Sequence, residues 1–394
     1  MGGKALKKVK ASRIGLEQYV QIKNDLMEKL NKYFQIEFVI EVPNKTDFGD
    51  VDVLYDMTDF SNLTKSDEHN SFQSDKITID QIILREFNPV EIVMSGPVCS
   101  FAYKFINASE ENNSTQYFQV DLIQTKNIEM SRFYFSYGDL GGIIGRIFQH
   151  NCLTFGSEGL RVHPNVETIY EYITKYYSCV EKHIANLNHN IKLEQISKGQ
   201  FEKIYLSTNP KEICDVLELN WNKWVEGFNN TNEIYNWICN SPWFNLDYFR
   251  ALDCEHRHRA SSRPMYQDFL KYIFTMAGEP NFTIECANSS KYLNKNCQLS
   301  LLIRFSKLPE LQLQIENEYK RLERKEKFSG KIFLDGGISQ KNMRDCLNEF
   351  NAYIEQKYLI NFNEWLDANS AKLISDEVDN FIVNFKQKSS TCDK

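Results

Sequence analysis

Acidic and apolar residues alternate in Gly49-Asp50-Val51-Asp52-Val53-Leu54, and this alternation limits what the chain can fold into. Side chains two positions apart on a β-strand point to the same face of a sheet. Asp50 and Asp52 are therefore expected to project together, while Val51 and Val53 anchor the opposite face in a core. Two adjacent carboxylates repel each other unless a cation lies between them. Oxygen ligands at this spacing suit Mg²⁺.

A second strand pattern, Phe118-Gln119-Val120-Asp121-Leu122-Ile123, contains one acid in an apolar run. Burying the Asp121 carboxylate without a partner would be costly. If this strand lies beside Val51–Tyr55, Asp121 joins Asp50 and Asp52, and three carboxylates can hold two Mg²⁺ ions. One ion would lower the pKa of an acceptor hydroxyl, and the other would stabilise a triphosphate and the departing pyrophosphate. The alternative is that the acids are solvated side chains on an edge strand.

The hydrophobic pattern predicts an α+β fold in which a helix packs on a small mixed sheet and a mostly helical remainder follows. The 394 residues are enough for two or three domains. Helical spacing recurs from Leu16 to Tyr33. Strands are predicted at Phe38–Val42, Val51–Tyr55, Pro89–Ser95, Ser100–Phe105, Tyr117–Thr125, Phe282–Cys286 and Leu299–Phe305. Further helices are predicted at Val166–Leu187, Pro210–Leu219, Thr231–Asn240, Met265–Met276, Leu308–Lys327 and in the region Asn342–Phe385.

Charge and cysteine usage exclude some classes of function. A net charge of −7 provides no global basic field for nucleic acid, so any such contact must use local basic patches. None of the ten cysteines forms a C-x-x-C pair, which argues against a structural zinc site. No apolar run is long enough for a membrane span, and the basic N-terminus lacks the apolar core of a signal peptide. We expect an intracellular protein, cytoplasmic or nuclear, without a membrane partner.

The order of several motifs resembles the nucleotidyltransferase superfamily that includes DNA polymerase beta, especially its family X branch. The chain is also similar to viral and phage nucleotidyltransferase-like proteins that begin with M-G-G-K. The resemblance covers roughly residues 38 to 165 and implies a small mixed-sheet nucleotidyltransferase palm. The motifs that carry it are Gly49-Asp50-Val51-Asp52, Gln119-Val120-Asp121-Leu122, Phe133-Tyr134-Phe135-Ser136-Tyr137-Gly138 and Asn151-Cys152-Leu153-Thr154-Phe155-Gly156-Ser157-Glu158-Gly159-Leu160.

The resemblance also implies roles for single residues. Asp50, Asp52 and Asp121 would be catalytic and would bind two Mg²⁺ ions, for which Mn²⁺ can substitute. Arg146 would face the nucleotide from the helix that follows the aromatic turn. The other residues implied to bind the nucleotide are Gly49 and, in the aromatic turn, Tyr134, Phe135, Ser136 and Gly138. Tyr137 is an insertion relative to the family pattern.

The family's phosphate-binding Gly-Ser turn is missing, because Val39 and Ile40 occupy its place. Lys45 is the basic residue that remains nearby. We assign phosphate binding instead to Gly2, Gly3 and Lys4, since glycines let backbone N–H groups approach a phosphate and lysine adds charge. The alternative for this segment is a basic tail without a ligand.

Three glycines in one predicted helix, Gly141, Gly142 and Gly145, each cost roughly 1 kcal/mol relative to alanine. They indicate close approach of a ligand or of another part of the backbone; ordinary helix packing is the alternative. Downstream, Arg257, Arg259 and Arg263 form a basic loop that could contact acceptor phosphates, although a solvated loop would look the same. The aromatic residues from Trp221 to Phe249 favour a hydrophobic core over base stacking.

The sequence thus predicts a Mg²⁺-dependent nucleotidyltransferase that transfers nucleoside monophosphates from a nucleoside triphosphate to a nucleic-acid 3′ hydroxyl. The acceptor would be an RNA or tRNA end or a DNA primer. Two alternatives stay open: nucleotidylation of a protein, and a non-catalytic nucleic-acid-binding protein on a decayed core. We divide the chain into a catalytic palm (1–130), a nucleotide-facing helical segment (131–195), a helical acceptor-binding domain (196–330) and a C-terminal helical region (331–394).

Overall fold

The computed structural model describes residues 5–56, 78–106, 115–184, 193–252, 262–280, 285–286, 293–294, 297–329 and 331–392. Within these ranges the protein is α+β, with a mixed five-stranded sheet and a helical remainder, as the sequence predicts. The strands are β1 (Ile14–Gly15), β2 (Ile36–Phe38), β3 (Asp47–Phe48), β4 (Asp50–Tyr55), β5 (Ile92–Ser95), β6 (Val98–Ile106), β7 (Thr115–Gln124), β8 (Leu153–Gly156), β9 (Gly159–Val162), β10 (Ile204–Ser207), β11 (Ala251–Leu252) and β12 (Glu285–Cys286). The helices are α1 (Leu16–Leu30), α2 (Ile79–Phe87), α3 (Ile128–Phe135), α4 (Leu140–His150), α5 (Val166–Ile184), α6 (Leu193–Ser197), α7 (Pro210–Val216), α8 (Trp221–Glu226), α9 (Thr231–Cys239), α10 (Leu246–Arg250), α11 (Pro264–Met276), α12 (Gln298–Arg304), α13 (Leu308–Lys327), α14 (Lys331–Asp335), α15 (Met343–Tyr358), α16 (Phe362–Ala368) and α17 (Ala371–Cys392).

The chain forms two compact units. The first contains Met1–His163 and Tyr205–Leu301, and the second contains Pro164–Ile204 and Leu302–Lys394. The chain leaves the first unit after His163 and returns to it at Tyr205.

The central sheet of the first unit has the strand order β2-β4-β7-β6-β5. The β4 and β7 strands are parallel, and the other neighbouring pairs are antiparallel. One face is covered by α1 and α2, which contribute buried apolar side chains to a common core with the inward residues of β4 and β7. Val51 and Val53 belong to this core, as their alternation with the acids predicts. The acids are thereby directed to the opposite face.

Asparagine side chains begin several of the helices. Asn127, Asn209, Asn220, Asn230 and Asn361 each accept a hydrogen bond from a backbone N–H in the first turn of α3, α7, α8, α9 and α16, respectively. The first N–H groups of a helix have no partner inside the helix, and a side-chain oxygen at the N-cap satisfies one or two of them. Local sequence therefore fixes where these helices begin.

Two of the predicted strands need correction. The predicted strand Leu299–Phe305 is wrong, because Gln298–Arg304 is a helix in which Leu299, Leu301 and Leu302 are buried. A short apolar run fits either a buried strand or a buried helix, and periodicity does not separate them. The predicted strand Phe38–Val42 is instead Ile36–Phe38, since the backbone at Ile40 bonds to the turn after α3.

The second unit contains a separate aromatic core. Buried residues of α14 to α17 form it, with Phe333, Phe350, Trp365 and Phe381 among its members. The basic stretch at the end of α13 lies in this unit, where Arg324 is held by Asp367 through Nε and Nη2 at 2.6 Å each. None of the helices that the structure describes combines the length and the hydrophobicity needed to span a lipid bilayer.

Candidate active site

The three aspartates predicted from the sequence lie on one face of the central sheet. In the parallel pairing of β4 with β7, Asp52 is opposite Asp121 and Asp50 is opposite Gln119. Residues paired in this way point to the same face, and so do residues two apart on one strand. Asp50, Asp52 and Asp121 therefore share a face although β4 ends at Tyr55 and β7 begins only at Thr115.

Burial and mutual repulsion make Asp52 a weak acid for an aspartate. Its pKa is raised to about 7 by burial first and then by the negative charges of Asp50, Asp121 and Glu41, while the Lys45 cation acts in the opposite direction. The pKa of Asp121 is also raised by burial, although hydrogen bonds from Ser100 and Gln119 oppose the rise. Concentrated negative charge of this kind is the environment that a divalent cation relieves.

The side-chain amide of Gln119 is hydrogen-bonded to both oxygens of the Asp121 carboxylate. Its Nε2 donates to Oδ1 at 3.0 Å and to Oδ2 at 2.8 Å. In the described part of the chain, no three histidine, cysteine, aspartate or glutamate side chains are oriented as a ready-made metal cage. The donor set still fits Mg²⁺, because the carboxylates of Asp50, Asp52 and Asp121 share one face in register and are hard oxygen ligands. For all three carboxylates to bind shared ions, the Asp121 carboxylate has to give up its hydrogen bonds from the Gln119 amide.

Glu41 is a fourth acid near this cluster that the sequence analysis did not identify. Its carboxylate accepts a hydrogen bond from the Tyr19 hydroxyl at 2.8 Å and from Lys45 Nζ at 2.6 Å. An open groove of about 650 Å³ is lined by these three residues and by Lys23 and Arg132, among others. Lys45, predicted to bind the nucleotide, therefore stands beside Asp52 with its charge partly balanced by Glu41. No spacing rule on the sequence would have connected Glu41 to the aspartates.

The N-terminal segment runs to the edge of the acidic cluster. The Ala5 N–H donates to Gln119 Oε1 at 2.9 Å, and Gln119 in turn holds Asp121. Gly2, Gly3 and Lys4, the predicted phosphate-binding residues, lie outside the described residues. Ala5, which directly follows these three residues in sequence, nevertheless contacts Gln119, the residue that holds Asp121.

Glu91 anchors this segment from the other end. Its carboxylate accepts hydrogen bonds from the backbone N–H groups of Lys7, Lys8 and Val9 at 2.9, 2.8 and 3.3 Å. Burial works against ionisation of this carboxyl, but the three backbone donors outweigh it and the pKa of Glu91 is lowered. Hydrogen bonds to a charged acceptor are stronger than those to a neutral one.

We expect Glu91→Gln to loosen the N-terminal segment, because a neutral amide offers only one acceptor oxygen to three donors. Limited digestion with trypsin should cleave after Lys7, Lys8 or Lys10 several-fold faster than in the wild-type protein, as measured by mass spectrometry. Glu17→Gln, which neutralises an exposed acid on α1, is the matched control. Equal cleavage rates in all three proteins would show that Glu91 does not hold the segment.

The aromatic turn has a structural part and an exposed part. Ser136 is completely buried, and its Oγ accepts a hydrogen bond from the Ile40 N–H at 3.0 Å. The inserted Tyr137 is also buried and donates its hydroxyl to the Trp224 carbonyl at 3.2 Å. Phe135 packs against Leu54 and other apolar residues on the acidic face of the sheet. Tyr134, in contrast, lines a pocket.

At the place of the missing Gly-Ser turn, the backbone groups of Val39 and Ile40 already form hydrogen bonds within the protein. The Val39 N–H donates to the Asp52 carbonyl at 3.4 Å, and the Ile40 N–H is taken by Ser136. The Ile40 carbonyl accepts from the Tyr137 N–H at 2.6 Å. The Val39 N–H is thus used in pairing with β4 and the Ile40 N–H in packing the aromatic turn, so neither is free to bind a phosphate.

Three of the remaining predicted residues, Gly138, Arg146 and Arg263, lie in or next to the glycine-containing helix α4. Gly49, which precedes the first acid, is buried. Gly138 has a left-handed φ of +68°, and an added Cβ would lie 2.8 Å from the sulfur of Met265. Arg146 is buried within α4, and Arg263 forms an ion pair with Asp139 at the start of that helix. Arg257 and Arg259 lie outside the described residues.

No protein-family model matches this chain, and no curated protein matches it.

Proposed function

We propose that this protein is a divalent-cation-dependent nucleotidyltransferase that transfers a nucleoside monophosphate from a nucleoside triphosphate to a nucleic-acid 3′ hydroxyl. The observation that supports it most strongly is the register of β4 and β7, in which Asp52 pairs with Asp121 and Asp50 lies on the same face. The three acids are half-buried and share one face, so their charges repel one another, and a bound divalent cation would relieve that repulsion.

Asp50, Asp52 and Asp121 would hold Mg²⁺ or Mn²⁺. When bound, such ions activate a hydroxyl nucleophile and stabilise the charge of a leaving pyrophosphate. In the cation-free protein, Gln119 holds the Asp121 carboxylate through its amide, and binding of the ions would replace that contact.

The described residues also offer cations for a triphosphate. Lys45 and Lys23 line the groove that contains Glu41, and Lys45 is close enough to Asp52 to oppose the rise of its pKa. The N-terminal segment, held at Ala5 and by Glu91, adds the glycines and lysine that precede it in sequence. We assign nucleoside triphosphate binding to this side of the site and acceptor binding to the side of Arg263.

The test is incorporation of label from radioactive NTPs or dNTPs into RNA and DNA primers in the presence of Mg²⁺ or Mn²⁺. We expect extension of at least one primer, and Asp50→Ala should remove it. Label on protein in place of nucleic acid would assign a protein acceptor. Absence of product with every combination, and equal behaviour of Asp50→Ala and wild type, would exclude the enzymatic proposal.

One observation favours a second candidate, a non-catalytic nucleic-acid-binding protein on the same core. The backbone at Val39 and Ile40, where the phosphate-binding turn of the resembling family lies, is occupied by other hydrogen bonds. Calorimetry distinguishes the two candidates. Nucleotide binding that depends on Mg²⁺ supports the enzyme, and its absence together with binding of RNA or DNA supports the second candidate.

A further inference from the structure

A second pocket, of about 350 Å³, lies along α4 in the first unit; we call it the glycine-helix pocket. Its lining residues include Tyr134, Asp139, Gly145, Arg146, Gln149, Thr154, Arg263 and Tyr266. Tyr134 belongs to the same turn as Phe135, which packs on the acidic face of the sheet. The pocket is thus connected through adjacent residues to the sheet that carries the aspartates.

Arg146 is the central polar group of this pocket, with only 6% of its surface exposed. One guanidinium nitrogen, Nη1, donates to Gln149 Oε1 at 2.7 Å, and the guanidinium carbon lies 4.5 Å from the centre of the Tyr248 ring. The buried Nε and Nη2 atoms have no aligned acceptor among the described residues. A buried donor without an acceptor is costly, and the cost is greater for a charged group.

Nε and Nη2 form the side of a guanidinium that binds two oxygens of a carboxylate or phosphate. Elsewhere in this chain Arg324 uses this same pair of atoms to hold the two oxygens of Asp367. In Arg146 the pair lacks such a partner. The Tyr266 hydroxyl lies beside Arg146, and the cation and a hydrogen bond from it oppose the burial-driven rise of the Tyr266 pKa to about 12, but a single hydroxyl cannot fill an edge that binds two oxygens.

The glycines of α4 divide into two kinds. A Cβ at Gly141 would lie 2.0 Å from the Tyr134 carbonyl oxygen, so the backbone requires this glycine, and one at Gly142 would lie 2.9 Å from Asp139 Oδ1, so that side chain would have to move. At Gly145 the nearest atom to an added Cβ is the Phe155 carbonyl oxygen at 3.9 Å. No packing contact explains Gly145, and its missing side chain leaves the pocket open beside Arg146.

The charge of the pocket completes the argument. Arg146 and Arg263 contribute two positive charges and Asp139 one negative charge, which leaves the lining with a net positive charge. Arg263 pairs with Oδ1 of Asp139, and the buried Oδ2 of that carboxylate makes no hydrogen bond to Nε or Nη2 of Arg146. The pocket therefore combines an excess of positive charge with an unfilled two-oxygen binding edge.

We propose that the glycine-helix pocket binds a phosphate group, held in a bidentate manner by Nε and Nη2 of Arg146. The choice of phosphate among oxyanions rests on the proposed function. The phosphate can come from the backbone of a nucleic-acid acceptor or from a free triphosphate. The two sources have the same chemistry at this site, and binding measurements separate them.

The experiment measures binding without catalysis. Fluorescence anisotropy with a labelled 15-nucleotide single-stranded RNA, and separately calorimetry with ATP, are carried out with EDTA present. We expect Arg146→Gln to weaken binding of one of these ligands at least tenfold. Weakening for RNA alone assigns the pocket to the acceptor, and weakening for ATP alone assigns it to the triphosphate. Arg85→Gln removes an exposed arginine with the same change in charge and should have less than a twofold effect.

A second variant addresses the case in which Arg146→Gln fails to fold. Gly145→Leu fills the pocket from a position where a Cβ has room, and it should weaken the same ligand while Gly145→Ala keeps the melting temperature. If both variants bind RNA and ATP as the wild type does, the pocket is not a phosphate site. The variant Asp52→Asn separates a failure of this proposal from a failure of the proposed function. It should lose nucleotidyl transfer and still bind the ligand of the pocket in EDTA.

Discussion

Asp52→Asn is expected to reduce nucleotidyl transfer by roughly a thousandfold or more, while the protein stays folded. The substitution keeps the shape of the side chain and removes one of three carboxylates that share the cation site. Metal ions contribute several kcal/mol of transition-state stabilisation, and each 1.36 kcal/mol corresponds to about a factor of ten in rate. Single-turnover primer extension with saturating NTP measures the chemical step directly.

The matched control is Asp215→Asn, which makes the same chemical change at an exposed position on α7. It should retain transfer within about twofold of wild type. Asp121→Asn should behave like Asp52→Asn, because the two residues are partners in the strand register. If Asp52→Asn transfers nucleotides at a rate within a few-fold of wild type, the aspartates do not take part in the reaction.

The same Asp52→Asn substitution is expected to stabilise the cation-free protein above neutral pH. The pKa of Asp52 is raised in the folded state to about 7, from an ordinary value of 3.8. Between these values the folded state binds the proton that the unfolded state has lost, so the free energy of unfolding falls as pH rises and levels off above about pH 7. Each pKa unit corresponds to about 1.36 kcal/mol, so the effect is on the order of a few kcal/mol.

Urea denaturation in EDTA from pH 4 to pH 8 measures this effect. Other carboxyls have lowered pKa values and act in the opposite direction, so the informative quantity is the difference between wild type and Asp52→Asn. The free energy of unfolding of the wild type should fall relative to that of Asp52→Asn as the pH rises to about 7, and the difference should then stay constant. At pH 8, Mg²⁺ should raise the melting temperature of the wild type and leave that of Asp52→Asn nearly unchanged. Parallel pH profiles for the two proteins would contradict the raised pKa.

The sequence was sufficient to predict the acids and the face they share, because strand alternation is a local property. Val51 and Val53 had to face a core, which left Asp50 and Asp52 on the other side. The neighbour of that strand was a conditional prediction, since a long connection separates β4 from β7 and local patterns do not encode register. The observed pairing of Asp52 with Asp121 satisfies the condition.

Other features of the site depend on tertiary contacts and could not be predicted. The resemblance assigns Ser136 to the nucleotide, but its Oγ accepts the Ile40 N–H in the interior. The glycine pattern of α4 left approach of a ligand or of backbone as alternatives; backbone explains Gly141, whose Cβ would meet the Tyr134 carbonyl, whereas a Cβ at Gly145 would have room. Glu91 and Glu41 carry no sequence signal of their roles, because Glu91 accepts from backbone N–H groups more than 80 residues away and the Tyr19 hydroxyl that donates to Glu41 is distant in sequence.

The most direct measurement is a crystal structure with Mn²⁺ and a nonhydrolysable nucleoside triphosphate, with data collected at the manganese absorption edge. We predict anomalous density bound by Asp50, Asp52 and Asp121, with the Asp121 carboxylate turned away from the Gln119 amide and the triphosphate on the Lys45 side. Crystals that contain the nucleotide but show no anomalous density at these three carboxylates would contradict the proposed active site.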